Sequence, residues 1–190
     1  EEHFRSLAAR LKPGGLAVQW LQLYETSDDL AALVLRTFRR VFPHVRVFTD
    51  RLRRDLILVG SAERRDVDLG ALEARFALPE VRRDLATDGV GELSTLLLLE
   101  LFGPAEARLL SGSGPTNRDD RPLLELEAPL ALFTGEGAER LMREAEEPGR
   151  VAPAGDRLLE RYLAGRPASA AQVLDALAYL GRPTSGSWNE

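Results

Sequence analysis

The stretch from Lys12 to Glu25, Lys-Pro-Gly-Gly-Leu-Ala-Val-Gln-Trp-Leu-Gln-Leu-Tyr-Glu, constrains the fold more than any other part of the chain. Ahead of it, Phe4, Leu7, Ala8 and Leu11 recur at the spacing of one helical face, so Glu1 to Leu11 reads as an amphipathic helix. Pro13 and Gly14-Gly15 stop that helix, and an apolar run from Leu16 to Leu23 comes at once. Its apolar groups fall on odd and even positions alike, the pattern of a parallel strand buried on both faces of a covered sheet. Gln19 sits within the run, and Gln22, Tyr24 and Glu25 close it. In open α/β sheets the ligand crevice lies outside the carboxyl ends of the strands, so this order aims those polar groups at a site.

A second helix is expected from a capping-box-like pairing of Thr26 with Asp29, its stripe formed by Leu30, Leu33, Val34, Phe38, Val41 and Phe42. Val45 to Thr49 and Leu56 to Gly60, separated by the charged tip Asp50 to Asp55, read as an antiparallel hairpin. Helix, strand, helix and closing hairpin make an α/β order, that of a doubly wound sheet ending in a reversed strand. Beyond Asp66 the pattern is helical. Short helices are expected at Leu69 to Phe76 and from Pro79, the latter with Val81 and Leu85 inward, and a leucine-dense buried helix over Glu92 to Phe102. Ser111 to Pro122 is a loop rich in Gly, Ser, Asn and Asp, followed by an extended Leu123-Leu124-Leu126 segment that Pro129 ends. Three further helices are expected over Ala138 to Ala145, Asp156 to Leu163 and, after a Ser169 cap, a stretch with Val173, Leu174, Leu177 and Leu180 inward. The division that results is a main unit over 1–133, a helical tail over 134–183 and a disordered end at 184–190.

Composition removes several function classes. With 190 residues, 44% of them hydrophobic, the chain holds one ordinary globular core. Its net charge of −5 gives no broad footprint for nucleic acid, and none is expected as a partner. No cysteine exists to serve as nucleophile, disulfide or thiolate ligand, and His3 and His44 lack ligand-spaced companions, so no metal is expected. The purely apolar runs, Leu96 to Leu99 among them, are far below the roughly 20 residues of a membrane span. A cytoplasmic location is expected, as a soluble domain or as the soluble part of a membrane-anchored parent. A start inside a helix without an initiator Met suggests a fragment of a longer chain.

Two segments in this order resemble the spermidine synthase family of aminopropyltransferases, particularly its transporter-fused members. One is Phe4 to Glu25 with its Lys-Pro-Gly-Gly turn, followed by Phe38 to Val45, Phe-Arg-Arg-Val-Phe-Pro-His-Val. The other is Asn117 to Pro129, Asn-Arg-Asp-Asp-Arg-Pro-Leu-Leu-Glu-Leu-Glu-Ala-Pro. The resemblance implies the second half of a class I methyltransferase-like doubly wound sheet with an antiparallel closing hairpin, followed by a helical carboxyl-terminal region. It also implies transfer of an aminopropyl group from decarboxylated S-adenosylmethionine to a polyamine, with the substrate met by Gln19, Gln22, Tyr24, Asn117, Asp119 and Asp120. The glycine-rich cofactor loop, the acidic ribose-binding residue and the catalytic aspartate belong to earlier strands of that family. This chain has no Gly-x-Gly loop after a strand and holds no cofactor-binding residue of its own. Pro115-Thr116 and Trp20-Leu21-Gln22 stand where the soluble members carry a tyrosine and a glutamate. For Asn117, Asp119 and Asp120 turn chemistry is the plain alternative, and for Gln19 a bond to neighbouring backbone. A methyltransferase using S-adenosylmethionine itself and a non-catalytic dimerisation or scaffold module are the competing functions. An unpaired apolar strand edge makes a homo-oligomer the expected state.

Overall fold

The computed structural model describes residues 1–135, 137–146 and 156–181, with backbone only for 144–146. Its elements run α1 (Glu2–Ala8), β1 (Ala17–Gln22), α2 (Asp28–Val41), β2 (His44–Thr49), β3 (Asp55–Ser61), α3 (Leu69–Phe76), α4 (Pro79–Thr87), α5 (Leu93–Leu97), β4 (Glu100–Phe102), α6 (Pro104–Leu110), α7 (Leu123–Thr134), α8 (Glu139–Glu146), α9 (Leu158–Leu163) and α10 (Ala170–Leu180). The mixed α/β class expected from the sequence is present. The four strands form one open sheet in the order β1-β3-β2-β4, and every pairing is antiparallel.

The expectation for β1 is corrected in its pairing and its burial. It pairs antiparallel, not parallel, with β3, Ala17 against Gly60 through Gln22 against Asp55, and with no second partner among the described residues it is the unpaired edge expected from the sequence. It is also not buried on both faces. Ala17 packs into the core, whereas Val18 and Trp20, on the opposite face, remain 61% and 53% exposed. A run with apolar residues at both odd and even positions cannot say whether both its faces are covered. Only the helices packed on the sheet can, and α1, α2 and α6 lie on one face.

Phe38 of α2, Phe42 capping its carboxyl end, Phe4 of α1 and the inward residues Val45, Val47, Leu56 and Leu58 of the hairpin make the first core. The Phe4 and Phe38 rings meet edge to face at 5.1 Å. Gly60 permits this packing, since a Cβ there would lie 2.5 Å from the Phe38 ring. The helix α2 starts one residue later than the Thr26 pairing implies, because Ser27 accepts the Leu30 amide while Thr26 is buried beside it. The turn before β1 uses Gly14 at φ +74°, a left-handed conformation that glycine adopts without cost.

The leucine-dense stretch is not one helix. The helix α5 stops at Leu97, and Glu100–Phe102 turns into β4, pairing with β2. What overrides its helical propensity is Glu100, whose side chain is fully buried. Its Oε1 meets Arg46 Nη1 at 2.5 Å and its Oε2 accepts the Leu158 amide at 2.5 Å. Arg46 Nη1 also donates to the Asp156 carbonyl at 3.1 Å. Nearby, Arg157 grips Glu106 through two bonds of 3.0 and 2.8 Å. These four groups fasten the start of α9 to the edge of the sheet.

A second core gathers Phe76, Val90, Leu93, Leu97, Leu158 and Tyr179 from α3, α5, α9, α10 and the connection before α5. Asp175 of α10 accepts the amides of Gly91 and Glu92 and the Thr95 hydroxyl, capping α5 from another helix. The inward stripe expected of α10 is corrected, because Val173, Leu174, Leu177 and Leu180 are exposed and Tyr179 is the buried residue. Nor does α4 bury any residue, Leu85 being half-buried against the second core and Val81 standing outside it. The Leu123-Leu124-Leu126 segment is likewise the first turn of α7, a helix that carries Pro129 within it and packs Ala128 and Ala131 against Leu30 and Leu33. Ala138 and Leu141 enter the first core and α9 and α10 the second, so no break between cores falls at 133/134. The expected disordered end at 184–190 lies outside the described residues.

Replacing Glu100 with Ala strands Arg46 in a largely buried position, and urea unfolding is expected to show a loss of about 3–5 kcal/mol. Burial pushes the Glu100 carboxyl above its ordinary value of 4.5 despite the opposing pull of Arg46. The folded state therefore binds this proton more readily than the unfolded chain, so the group's contribution is greatest below pH 4.5 and declines as pH rises through the folded pKa. Stability curves of the parent and Glu100→Gln should thus converge, or cross against the parent, between acid and neutral pH.

Candidate functional site

Side chains alternate along a strand, so Gln19 and Gln22 project to opposite faces of the sheet and do not share one crevice. Gln19 Nε2 donates to the neighbouring Trp20 carbonyl at 2.7 Å, the plain backbone role. Gln22 stands at the last position of β1, directly opposite Asp55 of β3, and both side chains take the face that carries Val18 and Trp20. One residue on, the Leu23 amide donates to the Arg54 carbonyl at 2.7 Å, carrying the pairing past the strand's end. Tyr24 is exposed, and Glu25 adopts φ +56°, a left-handed conformation uncommon for any residue but glycine.

Asp55 is the group here that sequence reasoning misses. Its Oδ1 is buried and accepts no hydrogen bond. In sequence it closes the charged hairpin tip, where aspartates are ordinarily turn formers. Asp50 is such a turn former, its carboxylate accepting the amides of Leu52, Arg54 and Asp55. Asp55 is freed from that role by Asp50, and its register opposite Gln22 is what marks it.

The loop residues go elsewhere. The Asn117 amide donates to the Thr37 hydroxyl at 2.9 Å, and its carbonyl accepts the amino-terminal ammonium at 2.6 Å. Asn117 Oδ1 accepts the Leu124 amide at 2.8 Å, so this side chain caps α7. Asp119 is tied through its amide to Glu2, and Asp120 pairs with Arg118 at 3.1 Å. Thr37 lies nine residues along α2 from Asp28, roughly 14 Å at the rise of a helix. Among the described residues no hydrogen bond or ion pair joins Asn117, Asp119 or Asp120 to Gln22 or Tyr24. Sequence spacing brings the two groups into one motif; the fold anchors them at different levels of α2.

The face that carries Val18, Trp20 and Asp55 also carries a groove of about 480 Å³, walled by Phe48, Ile57 and Val59 on the strands and by Leu72, Leu96 and Leu99 across from them. At its far end, where β2 begins and β3 ends, six arginines from five parts of the chain converge around a second hollow. No family model, curated protein or solved structure matches the chain. The case for a function therefore rests on the residues themselves. No helix among the described residues is long and apolar enough to cross a membrane.

Substituting Asn117 with Ala is expected to lower stability by about 1 kcal/mol through loss of the α7 cap, whereas Asp119→Asn and Asp120→Asn leave the thermal midpoint unchanged. Parallel thermal melts of the three variants check this.

Proposed function

We propose that the chain is part of a spermidine-synthase-like transferase, in which the carboxyl end of β1 holds a cationic amine. The observation that carries this reading is the idle, buried Asp55 Oδ1 opposite Gln22. A carboxylate oxygen without a donor is costly, and an ammonium group supplies the missing donor with opposite charge. Tyr24 and Glu25 flank the position. In the reaction, the amine nitrogen gives its lone pair to the aminopropyl carbon of decarboxylated S-adenosylmethionine. The bond from that carbon to sulfur breaks, the sulfonium becomes a neutral thioether, and the amine loses a proton.

The β2–β3 hairpin that closes against β1 supports the finer reading of this sheet as the second half of a class I methyltransferase-like fold. The unpaired edge of β1 is then where the preceding strands, with the cofactor loop and the catalytic aspartate, would join. Spermidine titrated into the chain should shift the amide signals of Gln22, Tyr24 and Asp55, and Asp55→Asn should weaken binding by about tenfold, the loss of one charge-assisted hydrogen bond. Decarboxylated S-adenosylmethionine should show no micromolar binding by calorimetry. Amine binding that is insensitive to Asp55 and Gln22, or tight cofactor binding by this chain, would overturn the proposal.

The exposed Val18 and Trp20 beside an open strand edge favour a second reading, a homo-oligomerising scaffold. Sedimentation velocity separates the two. A scaffold self-associates and becomes monomeric with Trp20→Lys without any amine binding to lose.

A further inference from the structure

The arginine end of the groove is an electrostatic anomaly in an acidic chain. Arg39 of α2, Arg46 of β2, Arg108 of α6, Arg161 of α9 and the adjacent Arg64 and Arg65 after β3 face one hollow, with His44 among them and Asp66 and Asp156 the acids present. Asp156 is already engaged, its Oδ2 accepting the Ala105 amide at 2.8 Å. Arg46 is held by Glu100, and Arg161 donates to the Val67 carbonyl. Among the described residues, however, the guanidinium groups of Arg64, Arg65 and Arg108 make no hydrogen bond or ion pair. Arg39 Nε is buried without a partner, and burial together with the like charge of Arg108 lowers the pKa of Arg39. Like charges brought together with donors to spare are a site awaiting a negative group.

This hollow is continuous with the apolar groove. His44, Arg46, Arg65 and Pro104 line both. The groove's volume of about 480 Å³ falls within the range of small-molecule sites, and beyond those shared residues its walls are almost wholly aliphatic and aromatic. An apolar trough ending in unsatisfied guanidinium groups has the polarity of a molecule with a chain and an acidic head. Guanidinium forks donate paired hydrogen bonds to carboxylate and phosphate heads alike.

We infer that the groove and its arginine end bind an amphipathic anion. A single acyl or alkyl chain lies along Phe48, Ile57, Val59 and Leu96, and its carboxylate or phosphate head is held by Arg64, Arg65 and Arg108. The charged head is separate from the amine position, because Asp55 and Ser61 are the two ends of β3, six residues or roughly 20 Å apart, and the chain end of the groove stops at Ile57, two residues from Asp55 on the same face.

Calorimetry on the chain, below the micelle threshold, tests this with dodecanoate and dodecyl phosphate as the two heads. Dodecyltrimethylammonium serves as the same chain with opposite charge, and inorganic phosphate as a head alone. Either anionic amphiphile should bind at least about tenfold more tightly than the ammonium one, and the Arg64→Glu/Arg65→Glu variant should lose about tenfold or more with an unchanged circular dichroism spectrum. Leu72→Gln, a helix-compatible change at the rim, should weaken both amphiphiles and leave inorganic phosphate unaffected. Asp55→Asn should leave them all unaffected, which keeps this result distinct from the fate of the amine site. Equal binding of the cationic amphiphile, full affinity in the charge-reversed variant, or inorganic phosphate binding as tightly as dodecyl phosphate would each overturn the inference.

Discussion

The buried pair of Arg46 and Glu100 joins parts of the molecule that share little else. Arg46 belongs to the hairpin, Glu100 to the short edge strand, and both reach the first residues of α9 through the Asp156 carbonyl and the Leu158 amide. A charge without water is tolerated only where every lone pair and proton finds a partner, and here that condition fixes three segments at once. The first core, between sheet and helices, needs no such link. The second core does, because its helices meet the sheet mainly along the half-buried Phe48 side and at Leu158.

How much of the fold is legible from sequence varies with where the deciding partner lies. The stripe of α2 is recoverable because its period is local, and Leu30, Leu33, Val34 and Phe38 are all buried. The hairpin and its tip are recoverable for the same reason. The run Leu96 to Leu99 misleads because leucine favours a helix, while the residue that commits the next segment to a strand is Glu100, and its partner is 54 positions earlier. Pro129 misleads in the other direction. Proline at an interior helical position forfeits one hydrogen bond, and α7 tolerates it because Asn117 caps its start and Ala131 packs against α2.

The candidate sites divide in the same manner. Gln22 and Tyr24 are recognisable because the end of a strand can be read from the pattern before it. Asp55 is not, since its significance comes from register across a hairpin and from Asp50 taking over the turn. The arginine cluster is invisible in sequence, its members being scattered from residue 39 to residue 161 and individually unremarkable in a chain where 24 of 25 basic residues are arginine. Neither neighbouring composition nor spacing predicts that three of them end without a counter-ion among the described residues.

Two of the carboxylates that cap helices across the fold imply an order in time. Asp28, in the first turn of α2, accepts the amides of Arg140 and Leu141, and Glu100 accepts that of Leu158. In these two cases the acceptor precedes in the chain the helix whose end it satisfies, whereas Asp156 and Asp175 serve α6 and α5 from later positions. During vectorial synthesis the sheet layer is thus available as a template before α8 and α9 emerge, and these short helices complete their amino-terminal bonding only by docking on it. Helices α8 and α9 are accordingly instructed by the layer beneath them, and their boundaries are written partly in residues made as many as 113 positions earlier.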